Sequence, residues 1–459
     1  MSPSHRSRSH RPVASFSRSL ISFLNSALSC LFPSAKQTAV QVYDYPKVTY
    51  TKRRSISRPR HLKPILSNNI PASKIHFIHY LPVELLSLIF IIGSKQDSFF
   101  PIVISHVCSA WRQIALRTPE LWCRILLSPQ ESMWRERVRR SRACFLDIQL
   151  CSTRVTKFGF HRSQDLDPYS VNWYMQIVFP HIRRWRSLDI DFTQQVPHLW
   201  KAVLAGCFTP APWLEELSLK YRLNDDTREF FLFASFTPRL RRLRVDGIRL
   251  IWTPSLFGNL TFLDYTHHGF TSGHQAVQDV ISILVVTSRI TELRVLFPRG
   301  QIACLPSRRE VVTQRATLPF LNHLVLKVDG SDIPFEIAHL VTLISSPTLS
   351  ILRLIDLKRA HDSFQSLKSF FYVYPLPPSL RFIYIGHAWY DPSMVHAMVH
   401  SLPRLWKILI RRSRLPEQVL YLKNPTIGMD GPINHAEEHK LYQSHLHQLD
   451  VHYFPVCSK

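Results

Sequence analysis

The chain has 459 residues, 45% hydrophobic and 19% charged, with a formal net charge of +25. That is too long for one small domain and apolar enough for a large buried core, which excludes a wholly disordered chain. Eight cysteines without a C-x-x-C pair exclude a zinc ribbon and a dense disulfide framework, and read as reduced core thiols of a cytoplasmic or nuclear protein.

Residues 1–75 read as a disordered, solvated arm rich in Ser, Pro and Arg. Residues 1–83 hold 13 Lys/Arg against a single acid, Asp44, so nearly half of the charge excess sits in the first fifth of the chain. Such an arm is attracted to acidic partners: nucleic acid, anionic lipid or acidic protein. Within it, "LISFLNSALSCLF" (20–32) has apolar residues at helical spacing and, with its Arg- and Ser-rich flank, faintly resembles a targeting peptide. No apolar run reaches the ~18 residues that a membrane-spanning helix needs.

Residues 76–125 carry three short helical signals. Pro82 suits the first position of a helix, where its missing N–H has no partner, and Leu81, Leu85, Leu88, Ile89 and Ile92 recur at helical spacing. A second helix is predicted from Pro101, with Val103, Val107, Trp111 and Ile114 on one face. "TPELW" reads as a third, with Thr118 as N-cap and Leu121 and Trp122 facing inward. So short a block cannot bury this much apolar surface alone, so its outer side must meet either the rest of the chain or another protein.

From 126 to 433 one pattern recurs, L-x-x-L-x-L. Copies begin at Trp185, Leu214, Leu240, Leu260, Ile290, Leu321, Leu349, Leu380 and Leu405, at intervals of 20–31 residues, with an earlier copy at 145–150. That skeleton and period are the leucine-rich-repeat signature, in which the x-L-x-L alternation forms a short strand with one side in the core. Segments 276–288 and 336–346 have helical periodicity, so each unit is predicted as strand, loop, helix. The asparagine that often follows the strand is missing from most copies, and the repeats are irregular. An ordinary α/β sheet is the competing architecture. Residues 434–459 read as a helical tail.

Signatures of catalysis are sparse. The 12 glycines form no G-x-G-x-x-G, no G-x-x-x-x-G-K and no G-x-S-x-G. "HAEEH" (435–439) fits the H-x-x-E-H zinc-peptidase spacing, yet His445, His447 and His452 nearby make it read as a His-rich helix. No catalytic residue, cofactor or metal ligand is assigned. Basic strand ends such as "LRRLRV" and "IRRSR" suit phosphate or a solvated rim equally.

The helical block resembles an F-box in four places: Leu81-Pro82 at its start, Leu85-Leu86 in the first helix, Val107-Cys108 with Trp111, and Leu121-Trp122 at its close. It departs from the pattern in the insertion "GSKQDSFF" (93–100), read as a loop between helices. The resemblance implies a surface for a Skp-type adaptor, which bridges to a cullin scaffold, formed by Leu81, Pro82, Leu85, Leu86, Ile89, Val107, Cys108, Trp111, Leu121 and Trp122. Joined to leucine-rich repeats, it resembles the fungal F-box substrate receptors, non-catalytic subunits of a ubiquitin ligase whose repeats hold an unidentified target. The expected fold is therefore α/β: a basic arm, a three-helix F-box, and an irregular solenoid of short parallel strands and helices. A nuclear nucleic-acid or chromatin binder using the arm is the alternative.

Overall fold

The computed structural model describes residues 77–155, 161–163, 166–193, 198–298, 314–329, 332–358, 370–371, 374, 376–386, 402, 404–411 and 418–421. The basic arm and the His-rich tail lie outside them. The chain divides into two compact units between Trp122 and Cys123.

In the first unit, a single turn at Phe77–Tyr80 leads into α1 (Val83–Gln96), followed by α2 (Phe100–Ser105), α3 (Ser109–Arg117) and a closing turn, Pro119–Trp122. Pro82 is the residue that precedes α1, one place earlier than predicted. The helix runs through the predicted loop as far as Gln96. Asp97 then takes extended backbone, and its carboxylate accepts the Phe99 N–H at 2.8 Å. Gly93 is needed inside α1 because a Cβ there would sit 2.4 Å from the Phe100 ring. The predicted second helix is in fact two. Cys108 breaks it with extended backbone, and its Sγ accepts the Trp111 N–H at 3.5 Å, capping α3. Thr118 holds the predicted position, extended just before the closing turn, but its hydroxyl donates back to the Ile114 carbonyl at 2.8 Å.

These helices share one core of Leu86, Ile89, Phe90, Phe100, Ile104, Trp111, Ala115, Leu121 and Trp122. The Phe90 and Trp111 rings meet edge to face, 4.9 Å between centroids, and the Trp122 indole donates to the Ala115 carbonyl at 2.9 Å.

The second unit is built on a sheet of twelve strands: β1 (Arg124–Leu126), β2 (Leu146–Cys151), β3 (Trp185–Asp191), β4 (Glu216–Lys220), β5 (Arg242–Asp246), β6 (Phe262–Thr266), β7 (Glu292–Leu296), β8 (His323–Val328), β9 (Ile351–Asp356), β10 (Phe382–Gly386), β11 (Lys407–Arg411) and β12 (Gln418–Tyr421). Their order in the sheet is their order in the chain, and every neighbouring pair is parallel except β11 with β12. β1 falls within the stretch expected to close the helical block, so the boundary comes before residue 125.

Register explains the recurring leucines. The second leucine of each copy stacks on the next, from Ile125 on β1 to Ile408 on β11, every member Ile or Leu and at most 1% exposed. The third forms a parallel line from Leu150 to Ile410. The first lies just before the strand, closed by a turn such as Leu240 N–H to Thr237 O at 3.1 Å or Leu321 N–H to Leu318 O at 3.2 Å. One strand buries little by itself; stacked strands bury a continuous aliphatic wall.

The return paths are less regular than predicted. Helices α4 (Glu131–Arg140), α5 (Pro168–Val178), α6 (Leu199–Leu204), α8 (Gly273–Val286) and α9 (Phe335–Leu343) serve some of them. Between β5 and β6 there is only the single turn α7 (Pro254–Phe257), because the interval from Leu240 to Leu260 is too short for a longer helix. Gly247, after β5, has φ +77°, and a Cβ there would sit 2.3 Å from the Tyr221 carbonyl oxygen.

No helix among the described residues is long and apolar enough to cross a membrane.

Candidate interaction surfaces

In the helical unit α1 is apolar on two sides. Leu86, Ile89, Phe90 and Gly93 face inward at the i, i+3, i+4, i+7 spacing of one helical face. Leu85 and Leu88 point outward, 45% and 47% exposed, beside half-buried Leu81 and Ile92 at the same spacing. The sequence pattern had placed Ile89 with the outer set, whereas it belongs to the inner one. Val83, Val107 and Leu116 are likewise 40–50% exposed, and Tyr80 more so.

The ten residues assigned to adaptor contact therefore divide. Pro82, Leu85, Val107 and Cys108 are exposed, and Leu81 is half-buried against the core. Leu86, Ile89, Trp111, Leu121 and Trp122 are buried, and their role is to hold the three helices together. Motif matching could not separate them, because a short helix that packs inward and docks outward needs leucines on both sides. Leu88 and Leu116 are exposed as well and were not among the ten; Leu88 stands three residues after Leu85 and was legible from helical spacing.

In the sheet unit, the face opposite the aliphatic wall is lined by the alternate residues of each strand, mostly polar over β2–β7 and mixed over β8–β11, where Val325, Ile351, Ile355, Phe382 and Leu409 stand among the basic residues. Ion pairs cross it between neighbouring strands, Arg186 with Asp147, Arg242 with Glu216 at 3.4 Å and Lys220 with Asp191 at 3.2 Å. Guanidiniums lie near rings: Arg242 and Arg294 are 4.2 and 5.0 Å from the Phe262 centroid, and Arg353 is 4.7 Å from that of Tyr384. Of the basic strand ends noted in the sequence, Arg241, Arg242 and Arg244 belong to this unit; Arg412 and Arg414 lie outside the described residues.

One further constellation was not read from sequence. His267 and His268, just after β6, and Asp279 on α8 are the one group of three ligand-type side chains that converges among the described residues, within 4.8 Å. Both Nε2 atoms lie 3.7 Å from Asp279 Oδ2, and the Thr271 hydroxyl donates to the same oxygen at 2.7 Å. The two Nδ1 atoms accept backbone N–H groups, from Gly269 at 3.2 Å and from Phe270 at 3.1 Å. Each neutral ring then carries its proton on Nε2, on the carboxylate side, and that of His267 is donated to the Thr271 hydroxyl oxygen at 3.1 Å. A metal at Nε2 would move that proton to Nδ1, against a backbone donor, the reverse of the usual arrangement around a ligating histidine. The geometry fits a polar clamp better than a metal centre. Burial works against ionisation of Asp279, but the nearby His267 and His268 rings and the hydrogen bonds from Thr271 and Gln275 outweigh it and hold the carboxyl well below its usual range. Burial lowers the pKa of His267 despite that carboxylate. The adjacent His-His pair was the available signal.

Among the described cysteines, burial pushes the thiols of Cys123 and Cys207 up to about 12, away from nucleophilic reactivity. Cys108 departs from the expectation of core thiols in being exposed.

No family model matches the chain, and no curated protein matches it.

Proposed function

We propose that this chain is a non-catalytic substrate receptor of a Skp/cullin/F-box type ubiquitin ligase, its helical unit an F-box and its sheet unit a divergent leucine-rich-repeat solenoid. The helical unit docks on a Skp-type adaptor and through it a cullin scaffold, while the solenoid holds a target protein. The chain acts by proximity, raising the effective concentration of target lysines near the ligase.

The observation that carries this reading is the outer ridge of α1. The unit has a complete core, yet Leu85 and Leu88 remain outside it together with Val107. Covering a leucine fully is worth roughly 1.5–3 kcal/mol, so sealing three half-exposed aliphatic side chains contributes about 3 kcal/mol to docking. The test is co-purification with a Skp-type adaptor. Leu85→Asp combined with Val107→Asp abolishes capture while the circular dichroism spectrum stays that of the wild type. Undiminished capture by the folded double variant would sink the proposal.

A second reading, a nucleic-acid or chromatin binder, rests on the basic arm, with its 13 Lys/Arg against one acid in residues 1–83. It predicts duplex DNA affinity that falls steeply with salt and is lost when residues 1–75 are deleted.

A further inference from the structure

The face of the sheet opposite the aliphatic wall changes sign along its length. Over β2–β4 it carries Asp147, Asp189, Asp191 and Glu216 against Arg186 and Lys220; over β8–β11 it carries Lys327, Arg353, Lys407 and Arg411 and no acid. The middle register line, from β5 to β10, reads Arg244, Asp264, Arg294, Val325, Arg353, Tyr384. An arginine thus stands on every second strand, about 9–10 Å from the next at the backbone.

Local pairing leaves two of these cations open. Asp264, the acid in the line, is held by Lys327 at 2.6 Å, and Arg294 is held by Glu292 at 2.6 Å. Arg244 and Arg353 have no carboxylate partner among the described residues. Arg353 is positioned against the Tyr384 ring, and its Nε is buried without a hydrogen-bond partner; Arg244 is exposed, 5.6 Å from the Phe262 centroid. A guanidinium near an aromatic face is pre-oriented for a carboxylate while its outer N–H groups stay free.

We infer that this arginine line seats an acidic, extended stretch of the target polypeptide that crosses the strands from β5 to β9. The inference rests on the reading of the sheet as the target-holding unit and names the chemistry it selects. Spacing decides between carboxylates and a phosphorylated side chain. A phosphate dianion is best held by several convergent guanidiniums, whereas the two open ones, four strands apart on β5 and β9, each face a separate single charge. An extended polyproline-II segment advances about 3.1 Å per residue and returns to the same side every third residue, about 9 Å on. Acids six residues apart, about 19 Å, match the spacing of the two open arginines.

The test uses the full chain and a fluorescein-labelled peptide of about 15 residues with Asp at every third position among Ser and Pro, followed by anisotropy. Three comparison probes accompany it: Lys in place of Asp, the same composition with its Asp residues in one block, and an oligothymidylate. The spaced Asp peptide is expected to bind best. Arg244→Gln with Arg353→Gln should weaken it about tenfold or more, and Lys201→Gln, on α6, should leave it unchanged. Arg353→Lys keeps the charge but loses the planar fork, and should fall in between. Equal binding of the Asp and Lys peptides, a folded double variant that binds like wild type, or preference for the oligonucleotide overturns the inference. Adaptor capture separates the two claims. Capture without peptide binding overturns this inference alone; peptide binding without capture overturns the adaptor reading alone.

Discussion

The helical unit and the sheet unit solve the same burial problem in opposite ways. The sheet has one closed aliphatic wall, at most 1% exposed from Ile125 to Ile408, and its other side carries ion pairs between strands. The helical unit has two apolar sides, one closed by its own helices and one left with Leu85, Leu88 and Val107 about half exposed. A sheet of twelve strands can close its wall because each strand covers the next. Three short helices can close only one side, and the other remains available for a partner.

The comparison breaks most visibly at the cores. Trp111→Ala removes the ring that meets Phe90, at the centre of the small unit, and should cost about 3–5 kcal/mol, enough to unfold that unit alone. Leu263→Ala, in the middle of the wall on β6, should cost about 2–5 kcal/mol and leave the helical unit folded. Chemical denaturation followed by hydrogen exchange assigns each loss to its unit. If Trp111→Ala left the protection of α1 and α3 intact, Trp111 would not be a core residue, and its original assignment to a docking surface would return.

A backbone change should come next in size. Gly247→Ala puts a Cβ against the Tyr221 carbonyl at a φ of +77°, so a loss of about 2 kcal/mol is expected, read by urea denaturation. A loss near zero would mean that the turn after β5 shifts freely.

The wall was legible in the sequence because its period is short and repeated. Each L-x-x-L-x-L fixes a strand, its buried side and the approach of the chain, and ten copies agree. The connections were not. Helical spacing at 276–288 and 336–346 marked α8 and α9, but the short path between β5 and β6 is set by length, which overrides any local preference. In the helical unit, residue types were legible and sides were not. Leu85 and Leu86 are adjacent, equally apolar, and on opposite sides. The turn at Cys108 was hidden because the apolar residues before and after it keep one helical phase. The arginine line was invisible for a different reason, since register between strands is a tertiary property that no single repeat encodes.

Leu85→Ser sharpens the contrast between sides. The side chain is 45% exposed, so its loss should cost about 1 kcal/mol, against roughly 2–5 kcal/mol for Leu86→Ala one position along. Thermal melts of the two variants measure this directly. Similar losses would mean that α1 has no outer side.

The smallest effect is a local one, in the clamp of His267, His268 and Asp279. Burial lowers the His267 pKa, so the folded ring resists a proton that the unfolded chain accepts near pH 6.5. The unfolded or opened state then binds more protons, and stability falls as pH drops through that value. Asp279, held low by its hydrogen bonds, adds a loss of the same sign only below the ordinary carboxylate range. Facing His267 are Asp279, Thr271 and His268, with the Tyr265 and Phe297 rings alongside and Glu336 as a more distant charge. Protonation at Nδ1 sets an N–H against the Gly269 N–H it now accepts, so the loop after β6 should open first. Corrected hydrogen-exchange protection at Gly269 should therefore fall between pH 7 and pH 5, and His267→Gln should flatten that dependence. The amides of α1, in the other unit, should keep their protection over the same range. Loss of protection in both units together would mean that acid acts on the whole chain, and the clamp would lose its role as the titrating element.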